Sequence, residues 1–431
     1  MEYINKDLGS FNLHMIKTKK FKTISVRVVF HTPIIKEEIT MRNLVTDILI
    51  QSSKEYPTRR DLTMKAEDLY AAEISTNTQR LGNYIITSFL LDVLNDRYTE
   101  EGNLEEAFKF LKNIIFNPNT DNNKSFSKDS FEVISHNAKV ALDSIKEDSS
   151  GYSTMRMLEA YNQESPIAYR MIGYQEDLEQ ITPESLYDYY KNMIDKDYVD
   201  IFIVGDFNSK EMLELVKKYF KFKKIKKKKA SYQLKCAKIR KRKKIARETI
   251  PNNQSKLALA CPSHGLTEYE RTYPIALGNL ILGGGTDSKL FQDVREKNSL
   301  CYTISSYFRK LDDILIIRAG IDSNNYKKTV DLITKNLSDM KKGKFSEEDL
   351  DKAKEYYITS AEEMEETPSR IITECLYETV LGIEPLKTRI DKIKKVTKPQ
   401  IVKAMKKINI DTIFLLEGVN NENNWVKRFR C

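Results

Sequence analysis

The sequence predicts an α+β protein built from two tandem homologous domains, each a mostly antiparallel sheet with helices packed on one face. Two observations carry this. First, the chain repeats itself. Ile181-Thr182-Pro183, a helix through Leu186, Tyr189 and Tyr190, and the strand Asp200–Gly205 are echoed by Val396-Thr397-Lys398-Pro399, a helix through Val402 and Met405, and the strand Thr412–Gly418. In both copies a Thr-Pro-type helix start precedes about four turns and an apolar strand stopped by glycine. Gly205 and Gly418 stand 213 residues apart, a spacing that fits a duplicated domain and is too long for a solenoid repeat. Second, strands and long amphipathic helices mix without strict βαβ alternation, which places helices over a largely antiparallel sheet.

The elements follow in order. Strands are expected at Ile24–His31 and Tyr84–Val93, matched in the second half by Lys256–Ala260 and Asp313–Ile321. Between the first two, Met41, Leu44, Val45, Ile48 and Leu49 recur at the i, i+3, i+4, i+7, i+8 spacing of a buried helix face. Asn43, Thr46 and Asp47 form a second, polar face on the same helix at i, i+3, i+4. A further helix spans roughly Phe131 to Ile145, and another runs from Ser346, capped by Ser346 and Asp349, to about Glu366 before Pro368. The domain bounds are read as 1–220, a basic linker at 221–244, and 245–431.

Composition fits an ordinary globular protein. With 431 residues and 40% hydrophobic residues, two or more domains and sizeable cores are expected. The N-terminus shows no signal peptide, and no stretch approaches the ~18 apolar residues of a membrane span. Five scattered cysteines without a CxxC fit a reducing compartment, so a cytoplasmic location without membrane association is expected. The net charge of +9 is concentrated: residues 217–244 hold sixteen lysines and arginines and no acid, leaving the remainder at −7. This run reads as a solvated linker. Nucleic-acid binding has only its charge in support, with aromatic residues limited to Tyr219, Phe220, Phe222 and Tyr232.

The most informative stretch is Gly283 to Tyr302, reading Gly-Gly-Gly-Thr-Asp-Ser-Lys-Leu-Phe-Gln-Asp-Val-Arg-Glu-Lys-Asn-Ser-Leu-Cys-Tyr. The triplet Gly283-Gly284-Gly285 lacks the Gly-Lys-Ser/Thr of a phosphate loop, and reads as a tight turn that admits an extended peptide. Leu290, Phe291 and Val294 point inward, with Arg295 and Tyr302 seven residues apart. Taken alone, Arg295 could pair with Asp293 or Glu296 and Tyr302 could be a core residue. Cys301 is explained by packing, and no histidine near it in sequence could act as its base. The histidines are His14, His31, His136 and His264, and no two lie within five residues of each other. No helix therefore presents a histidine pair at i and i+4.

The Gly283–Tyr302 stretch resembles the substrate-clamping motif of the insulinase/pitrilysin metallopeptidases, the family that includes the mitochondrial processing peptidase. The likeness covers nearly the whole chain. Tyr56-Pro57-Thr58 is similar to the turn after the family's zinc helix, and Leu69-Tyr70-Ala71-Ala72, Leu81-Gly82-Asn83-Tyr84 and Arg170-Met171-Ile172-Gly173-Tyr174 follow in the family's order. Counting back from that turn puts the His-x-x-Glu-His positions on Asn43, Thr46 and Asp47. One amide, one hydroxyl and one carboxylate are poor replacements for two imidazoles. The third ligand position falls in the Phe131–Ile145 helix, where Asp143 is the nearest acid. The resemblance thus implies two domains closing as a clamshell, no metal or cofactor held by this chain, and no catalysis by it alone. It implies a zinc-bearing homologous partner in a heterodimer, with this chain supplying Arg295, Tyr302 and Gly283–Gly285 to a peptide substrate. A closely similar bacterial subgroup is associated with modification of translation elongation factor P. The alternative implied by other relatives is a purely structural scaffold.

Overall fold

The computed structural model describes residues 1–225, 231–234 and 240–419. The lysine run 226–229 of the expected linker and the C-terminal residues from 420 lie outside them. In the first half the strands are β1 (Glu2–Asp7), β2 (Asn12–Lys17), β3 (Thr23–Pro33), β4 (Glu73–Leu81), β5 (Tyr84–Leu94), the short hairpin β6 (Thr120–Asp121) and β7 (Ser125–Phe126), and β8 (Tyr198–Gly205). Its helices are α1 (Ile39–Leu49), α2 (Arg59–Asp68), α3 (Asn103–Phe116), α4 (Lys128–Asp143), α5 (Ser149–Asn162), α6 (Gln175–Leu178), α7 (Pro183–Lys196) and α8 (Ser209–Tyr219). The second half adds β9 (Lys244–Ile250), β10 (Ser255–Pro262), α9 (Glu268–Thr272), α10 (Pro274–Gly283), β11 (Cys301–Arg309) and β12 (Ile314–Ile321). After these come α11 (Tyr326–Lys341), α12 (Glu347–Glu362), α13 (Pro368–Leu381), α14 (Leu386–Lys394), α15 (Lys398–Met405) and β13 (Thr412–Gly418).

The internal repeat is carried by the sheets. One sheet runs β1-β2-β8-β3-β5-β4 and the other β11-β12-β10-β13-β9. In both, the strand after the Thr-Pro helix pairs antiparallel with the central strand, β8 with β3 and β13 with β10. Each also pairs parallel with the strand on its other side, β2 or β9. The helix starts behave as the sequence chemistry demands. Thr182 and Ser185 form a capping box on α7, and Ser346 and Asp349 form one on α12.

The chain divides into two compact units whose membership is not contiguous. Unit 1 holds residues 1–143, 170–232 and 364–383; unit 2 holds 144–169, 233–363 and 384–431. This differs from the contiguous 1–220 and 245–431 division read from sequence. Each sheet has one face buried by helices of its own half. In unit 1 those helices pack Leu44, Val45, Phe108, Leu111 and Leu186 against Val26, Val28 and Ile201. The other face also carries a helix, which the sequence did not predict. In unit 1, α13 lays Ile371, Ile372, Cys375 and Leu376 on Ile16, Val29, Ile86, Phe202 and Val204. In unit 2, α5 lays Tyr152, Met157, Leu158 and Tyr161 on Ala258, Ala260, Ile314, Ile316 and Phe414. Both faces of β8 and β13 are apolar, so a one-sided sheet would leave much of it in water.

Within 221–244 the described lysines and arginines are exposed, as a solvated linker requires, but the segment is anchored at points the sequence did not predict. Tyr232 and Leu234 are buried. The Tyr232 ring stacks on Tyr84 within unit 1, and Arg240 pairs with the buried Asp411 within unit 2. No helix among the described residues is long and apolar enough to cross a membrane.

Candidate functional site

In unit 1, α1 is fixed by what lies beneath it. Leu44, Val45, Ile48 and Leu49 are buried, as their spacing requires. Beside them Arg42, at 1% exposure the largest fully buried side chain, reaches Asp197 at 2.5 Å and donates to the Thr87 hydroxyl at 2.8 Å. The opposite face opens on a cleft of about 280 Å³ lined by Asn43, Thr46 and Asp47 from α1, Thr76 and Thr78 from β4, and an apolar wall from α4. Sequence reasoning placed these three α1 residues on one face, and the structure brings them together there.

Their chemistry is not that of a metal site. The Asn43 amide donates to the Met171 carbonyl at 2.6 Å, and the Thr46 hydroxyl donates to the Asn43 carbonyl at 2.7 Å. Asp47 keeps an exposed face on the cleft, yet burial on its other sides pushes its carboxyl up to about 6. From α4 the cleft receives Ala138, Ala141 and Leu142, while Asp143 is exposed and outside the lining. Of the α4 residues that line the cleft, none is an acid. Among the described residues no three His, Cys, Asp or Glu side chains are grouped to hold a metal ion. A catalytic zinc wants two or three nitrogen donors and a carboxylate, and this set does not fit it.

The Gly283–Tyr302 stretch lies in unit 2 and divides its labour. Gly283 closes α10 against β11: a Cβ there would stand 2.5 Å from the Ser306 hydroxyl and 2.9 Å from its backbone nitrogen. Its bareness serves helix–sheet packing. Gly285 is exposed, and a Cβ there would meet nothing within 4 Å. The loop is held by Ser288 donating to the Gly285 carbonyl and Gln292 donating to the Thr286 carbonyl. Leu290 and Val294 are buried while Phe291 is half-buried, in a π-helical turn over Phe291–Glu296.

That turn sends Arg295 outward, its guanidinium 4.6 Å from the Phe291 ring centre and 3.7 Å from Glu296. Asp293 pairs with Lys297 instead. Tyr302 is 62% exposed, so it is not a core tyrosine. It occupies a bulge: Cys301 lies opposite Ile321 and Thr303 opposite Gly320, leaving Tyr302 as the extra residue turned away from the ladder. Cys301 beside it is buried, and burial pushes its thiol up to about 11, the state of a packing residue and not a nucleophile.

One constellation escaped the sequence reading. On the sheet of unit 1, Asp200 is hydrogen-bonded to His14 (2.8 Å) and lies 2.6 Å from the His31 ring nitrogen on its other side. Asn12 donates to it as well, and His31 meets the Tyr232 hydroxyl at 3.0 Å. Burial alone would raise the Asp200 carboxyl, but the two histidines outweigh it and hold the group well below the usual carboxylate range. His14, His31, Asp200 and Tyr232 are buried and Asn12 is half-buried, so the cluster ties strands together more than it faces solvent. The available signal was a lone acid within the apolar strand Asp-Ile-Phe-Ile-Val-Gly.

Comparison with known proteins agrees with this geometry. Residues 180–357 match the family described as Peptidase M16 inactive domain. The "Probable inactive metalloprotease YmfF" of Bacillus subtilis is 28% identical over 426 residues, covering 97% of this chain and 99% of the relative. A conserved protein from Enterococcus faecalis superposes with a TM-score of 0.90 at 29% identity, covering 97% of this chain and 99% of that one. The Pseudomonas fluorescens structure of an M16 inactive domain, at 17% identity and a TM-score of 0.79 over 97% of this chain and 98% of that one, shares the fold.

Proposed function

Because the chain is an inactive member of the M16 peptidase family, we propose that it serves as the non-catalytic subunit of a heterodimeric zinc metallopeptidase acting on peptides. It has no peptidase activity of its own. The partner in this reading is a homologous subunit with an intact His-x-x-Glu-His motif, which holds the zinc and the general base in the cytoplasm. The association of the similar bacterial subgroup makes a peptide linked to elongation factor P modification a substrate to test. The observation that carries the reading is the contrast between the two units. The described cleft of unit 1 has no donor set for a metal, while Arg295 and Tyr302 of unit 2 are presented to solvent by a π-turn and a bulge. Features of that kind cost backbone regularity and tend to mark functional positions.

Chemically, attack of water on a peptide carbonyl develops negative charge on oxygen. A guanidinium and a phenol can hold the peptide and stabilise that charge without taking part in proton transfer. The test is reconstitution with the zinc-bearing partner. Arg295→Ala and Tyr302→Phe should leave partner affinity unchanged and lower turnover on the order of 10²-fold. Full turnover of the pair with both residues replaced would reduce this chain to a scaffold, the second reading.

A further inference from the structure

The unit 1 cleft has two unlike walls, and together they describe a ligand. Leu44, Ala138, Leu142 and Ile172 form an aliphatic side. The rest of the lining is polar: Asn43, Thr46, Thr76, Thr78 and the exposed Asp47. Among the described residues no cationic side chain lines the cleft. The polar side is also under-used. Asp47 makes no hydrogen bond or ion pair among the described residues, and the Asn43 side-chain oxygen accepts none there. A site that had merely decayed had no reason to keep an open cavity with a lone carboxylate; an aliphatic or cationic side chain would have closed it.

We propose that this cleft binds a primary ammonium carried on an aliphatic stem, that is, the side chain of a lysine in a bound peptide. The stem lies against the aliphatic wall, burying methylenes at about 0.8 kcal/mol each. The ammonium, with three donors and no acceptor, meets one carboxylate and several neutral oxygens. Asp47 rejects an anion of the same size, and an uncharged stem leaves Asp47 unpaired. The inference does not depend on the heterodimer, since it concerns this chain alone.

The test uses the full chain without partner at pH 7.5, where Asp47 is ionised. Binding of the blocked peptide Ac-Gly-Ala-Lys-Ala-Gly-NH2 is followed by saturation-transfer NMR. It is compared with the same peptide carrying norleucine or ε-acetyl-lysine in place of lysine. The lysine peptide should bind at least tenfold more tightly than either. Asp47→Asn, isosteric and on an exposed face, should remove that preference, and Ala141→Phe should fill the cleft and abolish binding. Asp143→Asn, one turn end away and outside the lining, should bind as the parent. Equal affinity for lysine and norleucine peptides, unchanged binding by Asp47→Asn, or no binding of the lysine peptide at millimolar concentration would each overturn the assignment. Because no partner is present, failure here leaves the heterodimer reading standing.

Discussion

Arg42 and Asp197 face each other at 2.5 Å beneath α1, with side-chain exposures of 1% and 7%. The pair joins the helix that bears Asn43, Thr46 and Asp47 to the start of β8. A buried ion pair is costly to assemble and costlier to halve. Asp197→Ala should destabilise the protein by about 3–5 kcal/mol in urea unfolding, because it strands a guanidinium. Replacing both partners, Arg42→Met with Asp197→Leu, should recover most of that loss. A single substitution costing less than about 1 kcal/mol would show that water reaches the pair.

Asp200 sets an acid limit. Its folded carboxyl is held below the unfolded value of about 3.9, so its ionised form favours the fold. The contribution is present above that unfolded value and is lost as pH falls beneath it. Stability should therefore drop by on the order of 2 kcal/mol between pH 5 and pH 2. Asp200→Asn should lower stability at pH 7 and flatten that acid slope. An unchanged slope in the variant would assign the acid loss to other carboxylates.

The glycine triplet separates packing from ligand access. Gly283→Ala should cost about 1–3 kcal/mol in thermal or urea unfolding, because its Cβ collides with Ser306. Gly285→Ala should leave stability within about 0.5 kcal/mol, since it projects into open space. Any effect of Gly285→Ala would then appear in peptide handling by the reconstituted pair. Equal stability losses for the two would contradict the packing described here.

Much of the fold was legible because the repeat wrote each sheet twice. The four strands expected from pattern are β3, β5, β10 and β12, and the Thr-Pro helices lead to β8 and β13. The three polar residues of α1 were placed by helical spacing alone. Three things were hidden. The side of α4 that meets the cleft depended on its rotation, which its weakly apolar face did not fix: Val133 and Val140 are exposed. The Asp200 cluster is built from contacts spanning up to 201 positions, beyond any local pattern. And an amphipathic face, such as that of α5 or α13, states that it must be covered without stating which sheet covers it.

The exchange of α5 and α13 has a bearing on how the molecule comes apart. The chain passes between its two units at five places, after residues 143, 169, 232, 363 and 383. Cutting within 221–244 severs one passage and leaves four intact. A protease acting there produces a nicked molecule and not two free halves, because each fragment still threads a helix through the other's unit. Either fragment made alone would leave one apolar face of a sheet bare, the face of Phe202 and Val204 in one case and of Ile316 and Phe414 in the other. Each half of the sequence thus carries the helix that covers one sheet face of the other unit.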